Sequence, residues 1–266
     1  MYSKKVIRRK QNSTQQEWLT AWNNIEKCVS ENHIKRLTRD TANRLVKDTT
    51  GKKVAYGWSG GKDSLVIEAI CELVGIRKAA MFITKLEYSD FYDYVEKHKP
   101  HYLDVFYTKH DIRWLAENQA RYLFPKHSKG KNQYFIEIQR GGLKRCFKDN
   151  NLDQIIVGHR TADGNHCPDF INTNKDGYTR NAPIKDWTHE EVLAFLKYFN
   201  IPLPKIYFYE EGFVHGTGPY SSMIRGNRTI NQCWDYAYIH DNKSVLKASR
   251  HIESAYMYLT ERGLIA

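Results

Sequence analysis

The sequence predicts an α/β fold in which a parallel sheet carries helices on both faces, with N-terminal helices before it and a C-terminal helical extension after it. Three observations predict this. Short apolar runs alternate with amphipathic, helix-length segments between Val54 and Gly158, and strands joined by crossover helices pair in parallel and are covered on both sides. The stretch Val54–Ala55–Tyr56–Gly57–Trp58–Ser59–Gly60–Gly61–Lys62–Asp63–Ser64–Leu65–Val66 is an apolar run that ends in a glycine-rich polar turn and passes at once into an apolar helical pattern. Finally, 41% hydrophobic residues in a chain of 266 supply a core of the size that one α/β domain with appendages requires.

Residues before about Ser13 read as a flexible basic arm. Trp18, Trp22, Ile25 and Val29, then Ile34, Leu37 and Leu45, recur at helical spacing and predict two helices. Strands follow near Val54–Trp58, Ala79–Thr84, Tyr102–Tyr107 and Gln154–Gly158, with helices over Ser64–Val74 and Ser89–His98 between them. Val192, Phe195, Leu196 and Phe199 form the stripe of a later helix, opened by Thr188 and Glu191 as a capping box. Val245, Ala248, Ile252, Ala255 and Leu259 predict one C-terminal amphipathic helix docked on the domain. The expected division is 1–50 for the arm and N-terminal helices, 51–212 for a nucleotide-binding domain, and 213–266 for the extension.

The turn at Ser59–Ser64 has the chemistry of a phosphate site. A helix N-terminus offers unpaired N–H groups and the positive end of a dipole. Gly60 and Gly61 permit close approach and positive φ, Lys62 adds a charge, and Ser59, Asp63 and Ser64 are N-cap residue types. Three residues separate Gly57 from Gly61, and Asp63 follows Lys62, so the Walker A spacing is not met, and G-x-G-x-x-G is also absent. The residues instead resemble the Ser-Gly-Gly-x-Asp-Ser loop of the ATP pyrophosphatases, the PP-loop. That resemblance implies a loop gripping the β,γ-pyrophosphate while the α-phosphate is attacked.

Ligands in parallel α/β sheets bind beyond the carboxyl ends of strands. Gly158–His159–Arg160–Thr161–Ala162–Asp163–Gly164 follows a predicted strand and is expected to face the same crevice. Arg160 there fits either an α-phosphate clamp or a surface loop arginine. A third segment, Arg180–Asn181–Ala182–Pro183–Ile184–Lys185–Asp186–Trp187–Thr188, precedes a helix, and Asn200–Ile201–Pro202–Leu203–Pro204–Lys205–Ile206–Tyr207 follows it. In this order, the phosphate loop, Gly-x-Arg and Pro-Ile-x-Asp-Trp-Thr resemble the phosphoadenosine phosphosulfate (PAPS) reductase family, which includes the small subunit of bacterial ATP sulfurylase. The likeness runs from Val54 to Gly212.

The resemblance implies an adenine nucleotide α-hydrolase-like, Rossmann-like fold that binds ATP or a PAPS-like nucleotide with Mg²⁺, Asp63 being the candidate metal contact. It implies Lys62, Asp63 and Arg160 as catalytic residues. Ser59, Gly60, Gly61, Lys62, Asp63, Ser64, Gly158 and Arg160 would bind phosphate, with Lys185, Asp186 and Trp187 in support. It also implies adenylyl transfer to an acceptor with release of pyrophosphate, for sulfur transfer among other uses, or a sulfonucleotide reductase activity. A nucleic-acid-associated module using the site for binding or regulation is the reading of another class.

Three departures bear on these readings. The chain ends Arg262–Gly263–Leu264–Ile265–Ala266 where family reductases carry a nucleophilic cysteine, and its last cysteine is Cys233. His215–Gly216–Thr217–Gly218–Pro219–Tyr220 stands where many members hold cluster cysteines, and Cys146 stands alone where a pair is common. Thr84–Lys85–Leu86–Glu87–Tyr88–Ser89–Asp90 replaces the family's Asp-Thr-Gly-x-x-Phe-Pro-Glu. The five cysteines (Cys28, Cys71, Cys146, Cys167, Cys233) form no C-x-x-C pair, so no iron–sulfur cluster is expected. His159, His166 and His215 lack metal-ligand spacing and read as structural or surface residues.

Lysine plus arginine exceed aspartate plus glutamate by 41 − 30 = 11. The clusters Lys4–Lys10, Lys126–Lys131 and Arg225–Arg228 fit a nucleic-acid or protein partner, or a basic surface around a nucleotide pocket. No apolar run reaches the ~18 residues of a membrane span, so a cytoplasmic protein with no membrane contact is expected.

Overall fold

β1 (Val54–Gly57) and β4 (Gln154–Ile156) form the centre of the sheet, because Ala55, Tyr56, Ile155 and Ile156 have both faces covered. The computed structural model describes residues 6–7, 12–127, 129, 133–134, 136–164, 169–173 and 177–265. Its sheet adds β2 (Ala79–Ile83), β3 (Leu103–Tyr107), β5 (Ile171–Thr173) and β6 (Thr179–Asn181) in the order β3-β2-β1-β4-β6-β5. β1 pairs in parallel with β2, Tyr56 opposite Ala79, and with β4, Val54 opposite Gln154. β6 continues in parallel and β5 returns antiparallel, Asn172 opposite Arg180. The sequence reading finds the first four strands. It misses β5 and β6, whose Ile-Asn-Thr and Thr-Arg-Asn segments carry no apolar run. β1 and β4 are neighbours, so the loops after Gly57 and after Ile156 leave the same edge of the sheet.

Contacts divide the chain into two interleaved units, whereas the sequence divides it at residues 50 and 212. The first comprises Met1–Met81, Lys99–Asp104 and Leu143–Thr217. In it, α1 (Gln15–Asn23) starts at Thr14 with Glu17 closing a capping box, and α2 (Glu31–Thr49) starts at Ser30. Trp18, Ile25, Ile34 and Leu45 are buried as their spacing predicts. The first predicted helix is cut short, because the chain tightens into a 3₁₀ turn over Ile25–Lys27. The N-terminal arm is fixed where it is described. Ile7 is fully buried, and the amides of Val6 and Ile7 donate to Glu190 Oε1 at 2.5 Å; one carboxylate oxygen thus satisfies two backbone donors and holds an arm read as flexible.

The second unit comprises Phe82–His98, Val105–Gly142 and Gly218–Ala266. α4 (Ser89–His98) spans the predicted residues. The single C-terminal helix is replaced by α7 (Asn242–Ala248) and α8 (Glu253–Glu261), preceded by α6 (Ile230–His240). Ile252 adopts extended backbone, φ −125° and ψ 113°, yet Val245, Ala248, Ile252, Ala255 and Leu259 are all buried. The stripe survives because the turn at Ser249–Ile252 keeps both inner faces pointing inward. No helix among the described residues is long and apolar enough to cross a membrane.

α3 (Lys62–Leu73) follows β1 and is tied to its end, since Trp58 Nε1 donates to Glu68 Oε2 at 2.6 Å. Burial pushes the Glu68 carboxyl up to about 7, against the Trp58 hydrogen bond. Its folded pKa lies above its ordinary 4.5, so the folded state holds the extra proton in this window and stability from this group falls as pH rises from 4.5 to about 7. Glu68→Gln keeps an acceptor for Trp58 and removes the titration. Urea denaturation is expected to show the variant gaining stability relative to the parent between pH 4.5 and 8; a constant difference contradicts the assignment.

Candidate functional site

The backbone of the Ser59–Ser64 loop is set by short-range chemistry. Gly60 sits at φ +63°, where a Cβ is strained, while Gly61 takes φ −79° and is the N-cap of α3 without any side-chain cap bond. The expected positive φ therefore belongs to Gly60 alone, and none of Ser59, Asp63 or Ser64 caps the helix. Ser64 turns back instead: its Oγ donates to Gly61 O at 2.9 Å and accepts from Ser59 N at 3.1 Å, which folds the loop on itself. The Lys62 amide donates to the phenol oxygen of Tyr207 at 2.9 Å.

Behind the loop lies a buried charge cluster. Lys62 is 1% exposed, and its Nζ donates to Asp63 Oδ2 at 2.6 Å, with Asp163 Oδ1 at 3.7 Å. Arg160 is fully buried; its Nε donates to Asp63 Oδ1 at 2.7 Å, its Nη1 to Trp187 O at 3.1 Å, and its Nη2 to Asp163. Nη2 also lies 3.2 Å from His189 Nδ1. Burial works against the guanidinium charge, and the carboxylates of Asp63 and Asp163 outweigh it, so the Arg160 pKa stands above its ordinary value. Burial, reinforced by Arg180, pushes the neighbouring His159 down to about 4 and keeps its imidazole neutral at physiological pH.

Gly158 makes this convergence sterically possible. A Cβ there would lie 2.9 Å from Asp63 Cβ and 3.0 Å from its carbonyl carbon. The Pro183–Thr188 segment contributes through its main chain, with Lys185 O accepting from Thr161 N at 2.9 Å and Trp187 O from Arg160. The Lys185 ammonium lies 4.9 Å over the Phe170 ring, and Asp186 is exposed. Thr188 and Glu191 form the expected capping box on α5 (His189–Tyr198).

Sequence reasoning missed Asp163, His189, Tyr207 and Trp18. Asp163 lies three residues after Arg160, the one local signal available. The Trp18 ring stands 4.7 Å from His189 and stacks on Phe213 at 5.1 Å, with Lys62 Nζ 5.9 Å away, so α1 forms a wall of the site. The segment after β2 belongs to the second unit. There Thr84 Oγ1 donates to Glu87 Oε1 at 2.9 Å, and burial pushes the Glu87 carboxyl up to about 7.

Cys28, Cys71, Cys146 and Cys233 are buried cysteines. Burial raises the Cys71 and Cys146 pKa values and pushes Cys233 up to about 11. Cys167, His166 and most of Lys4–Lys10, together with Lys131, lie outside the described residues. Lys126 and Lys129 are exposed, and Arg225 N donates to Pro125 O at 2.9 Å, so two of the basic stretches are neighbours in the second unit.

The solved structures include a phosphoadenylyl-sulfate (PAPS) reductase from Candida auris in a phosphate complex, 16% identical, with a TM-score of 0.54 over 74% of this chain and 98% of that one. NMN synthetase from Francisella tularensis aligns at 15% identity and a TM-score of 0.48, over 86% of this chain and 93% of its own. FMN adenylyltransferase from Candida glabrata, in complex with ATP, aligns at 16% identity and 0.45, over 77% and 69%. No curated protein matches the sequence. A profile of the phosphoadenosine phosphosulfate reductase domain matches residues 53–223, a span that contains the loop, Arg160 and Tyr207 alike. With that match over more than half its length, the chain belongs to the phosphoadenosine phosphosulfate reductase family.

Proposed function

We propose that the chain binds ATP with its pyrophosphate on the Ser59–Ser64 loop and transfers the adenylyl group to an acceptor. The observation that carries this reading is the N-terminus of α3, whose N-cap Gly61 has no side chain to close it, beside the buried Lys62–Asp63 pair. In the reaction an acceptor oxygen attacks the α-phosphorus, the bond from that phosphorus to the β-bridging oxygen breaks, and pyrophosphate leaves with the electron pair. Lys62 and the loop amides stabilise the charge that collects on the leaving group. The loop also fixes the phosphate chain, so that orientation supplies much of the rate.

Arg160 has its donors directed at Asp63, Asp163, Trp187 O and His189, which supports a positioning role for it, holding Asp63, in place of the α-phosphate clamp expected from the sequence. Asp63 and Asp163 offer hard carboxylate oxygens of the kind Mg²⁺ takes together with substrate phosphates. Those two residues would hold it, and when bound it would neutralise phosphate charge.

The family membership favours a second reading, a sulfonucleotide such as PAPS in place of ATP. Its reductive chemistry needs a thiolate, and the thiols of Cys71, Cys146 and Cys233 are all disfavoured as thiolates by burial. Release of pyrophosphate from ATP across a panel of acceptors, beside calorimetric binding of ATP, PAPS and adenosine phosphosulfate, tests the two readings. Release above the protein-free rate supports adenylyl transfer, and binding of the sulfonucleotides alone supports the second reading.

Lys62→Ala is expected to weaken nucleotide binding about ten- to a hundredfold, the equivalent of a charged hydrogen bond worth about 1.5–3 kcal/mol. Unchanged affinity in a folded variant, measured by calorimetry, removes the loop from the site. Arg160→Lys keeps the charge and loses the fork that spans Asp63, Asp163 and Trp187 O. Chemical denaturation is expected to report a loss of about 1–3 kcal/mol, typical of leaving a buried hydrogen-bond acceptor unpaired, and the surviving folded enzyme is expected to lose kcat more than KM. A stable variant with normal kcat contradicts the positioning role.

A further inference from the structure

We infer that Tyr207, with Thr217, is a direct ligand of the phosphate held by the Ser59–Ser64 loop, an inference that rests on the nucleotide reading of that loop. Three hydroxyls from three separate stretches of chain converge over Gly61. A Cβ built there would lie 3.2 Å from Ser59 Oγ, 3.2 Å from Thr217 Oγ1 and 3.3 Å from Tyr207 Oη. A side chain at residue 61 would fill this place. The glycine keeps a hydroxyl-lined cradle at the mouth of the α3 N-terminus.

Tyr207 is held for this position from a distance. Its carbonyl accepts from Gln15 Nε2 at 2.8 Å, while Gln15 Oε1 accepts from Phe213 N at 2.9 Å. Its ring packs 5.1 Å from that of Phe213. Its phenol oxygen takes the Lys62 N–H, and a hydroxyl polarised by accepting from a backbone amide is a stronger donor to an anion.

The charge arrangement gives neutral donors a part beside Lys62. Two cations, Lys62 and Arg160, already face two carboxylates, Asp63 and Asp163, so the attraction Lys62 gives an incoming anion is partly offset within the cluster. Backbone amides and hydroxyls supply the complement, as they do at helix N-termini generally. A further donor lies in the adjoining wall: Trp18 Nε1 is buried without a hydrogen-bond partner among the described residues, in the ring that stands 5.9 Å from Lys62 Nζ. In the bound state Tyr207 keeps the Lys62 amide on its oxygen and turns its own proton to a phosphate oxygen, and Thr217 adds a second O–H.

The test is calorimetric titration of the full chain with inorganic pyrophosphate and with ATP, beside thermal melting. Tyr207→Phe is expected to lose about tenfold or more in affinity for both, as removal of a hydrogen bond to a charged group does. Thr217→Val is expected to weaken binding and Thr217→Ser to restore it. Folded Tyr207→Phe and Thr217→Val proteins with parental affinity overturn the inference and leave the loop assignment standing. So does tighter binding by Tyr207→Phe, which would make the phenol a competitor of the anion for the Lys62 amide. A parent protein that binds neither pyrophosphate nor ATP overturns the nucleotide reading, and this inference with it.

Discussion

The site depends on one carboxylate. Asp63 divides its two oxygens between Lys62 and Arg160, and in doing so joins the loop that leaves β1 to the loop that leaves β4. Those strands are neighbours in the sheet, so their carboxyl ends are brought together by backbone pairing alone. What the pairing leaves open is distance, and Gly158 closes it by allowing main chain to lie against Asp63. A buried guanidinium is tolerated here because two carboxylates and a main-chain carbonyl receive its donors. Removing one partner would strand a charge in a place that water does not reach, at a cost typical of about 3–5 kcal/mol.

Much of this was legible in the sequence, for local reasons. Ser59–Ser64 announces itself because a strand, a glycine turn and a helix must be consecutive to build an anion site. Gly158 and Arg160 were legible as residues just past a strand of a parallel sheet. Asp163, His189, Trp18 and Tyr207 were not, because their parts depend on tertiary contacts and on no spacing that short-range chemistry constrains. Tyr207 reaches Lys62 across 145 positions of sequence. The same contrast holds for the fold. The apolar strands were found and the polar pair β5–β6 was not, and the apolar stripe of the C-terminal segment concealed a turn at Ser249–Ile252, since periodicity reports burial and is silent on where a helix breaks.

The chain belongs to the phosphoadenosine phosphosulfate reductase family, and the proposed phosphate loop can be considered apart from its thiols. Each described cysteine is buried, and Thr217 contributes a hydroxyl beside Gly61. In the proposed reading the loop at the edge of the sheet would hold the phosphate, and the residues brought against it would decide what is done with it.

The central claim is that Ser59–Ser64 holds the pyrophosphate of an adenine nucleotide. A crystal structure of the chain with an ATP analogue blocked between the α- and β-phosphates tests it most directly. The expected result is β- and γ-phosphate oxygens within hydrogen-bond distance of the loop amides and of Lys62. Nucleotide bound elsewhere, with the Lys62–Asp63 pair unchanged and the loop free of phosphate, would contradict it.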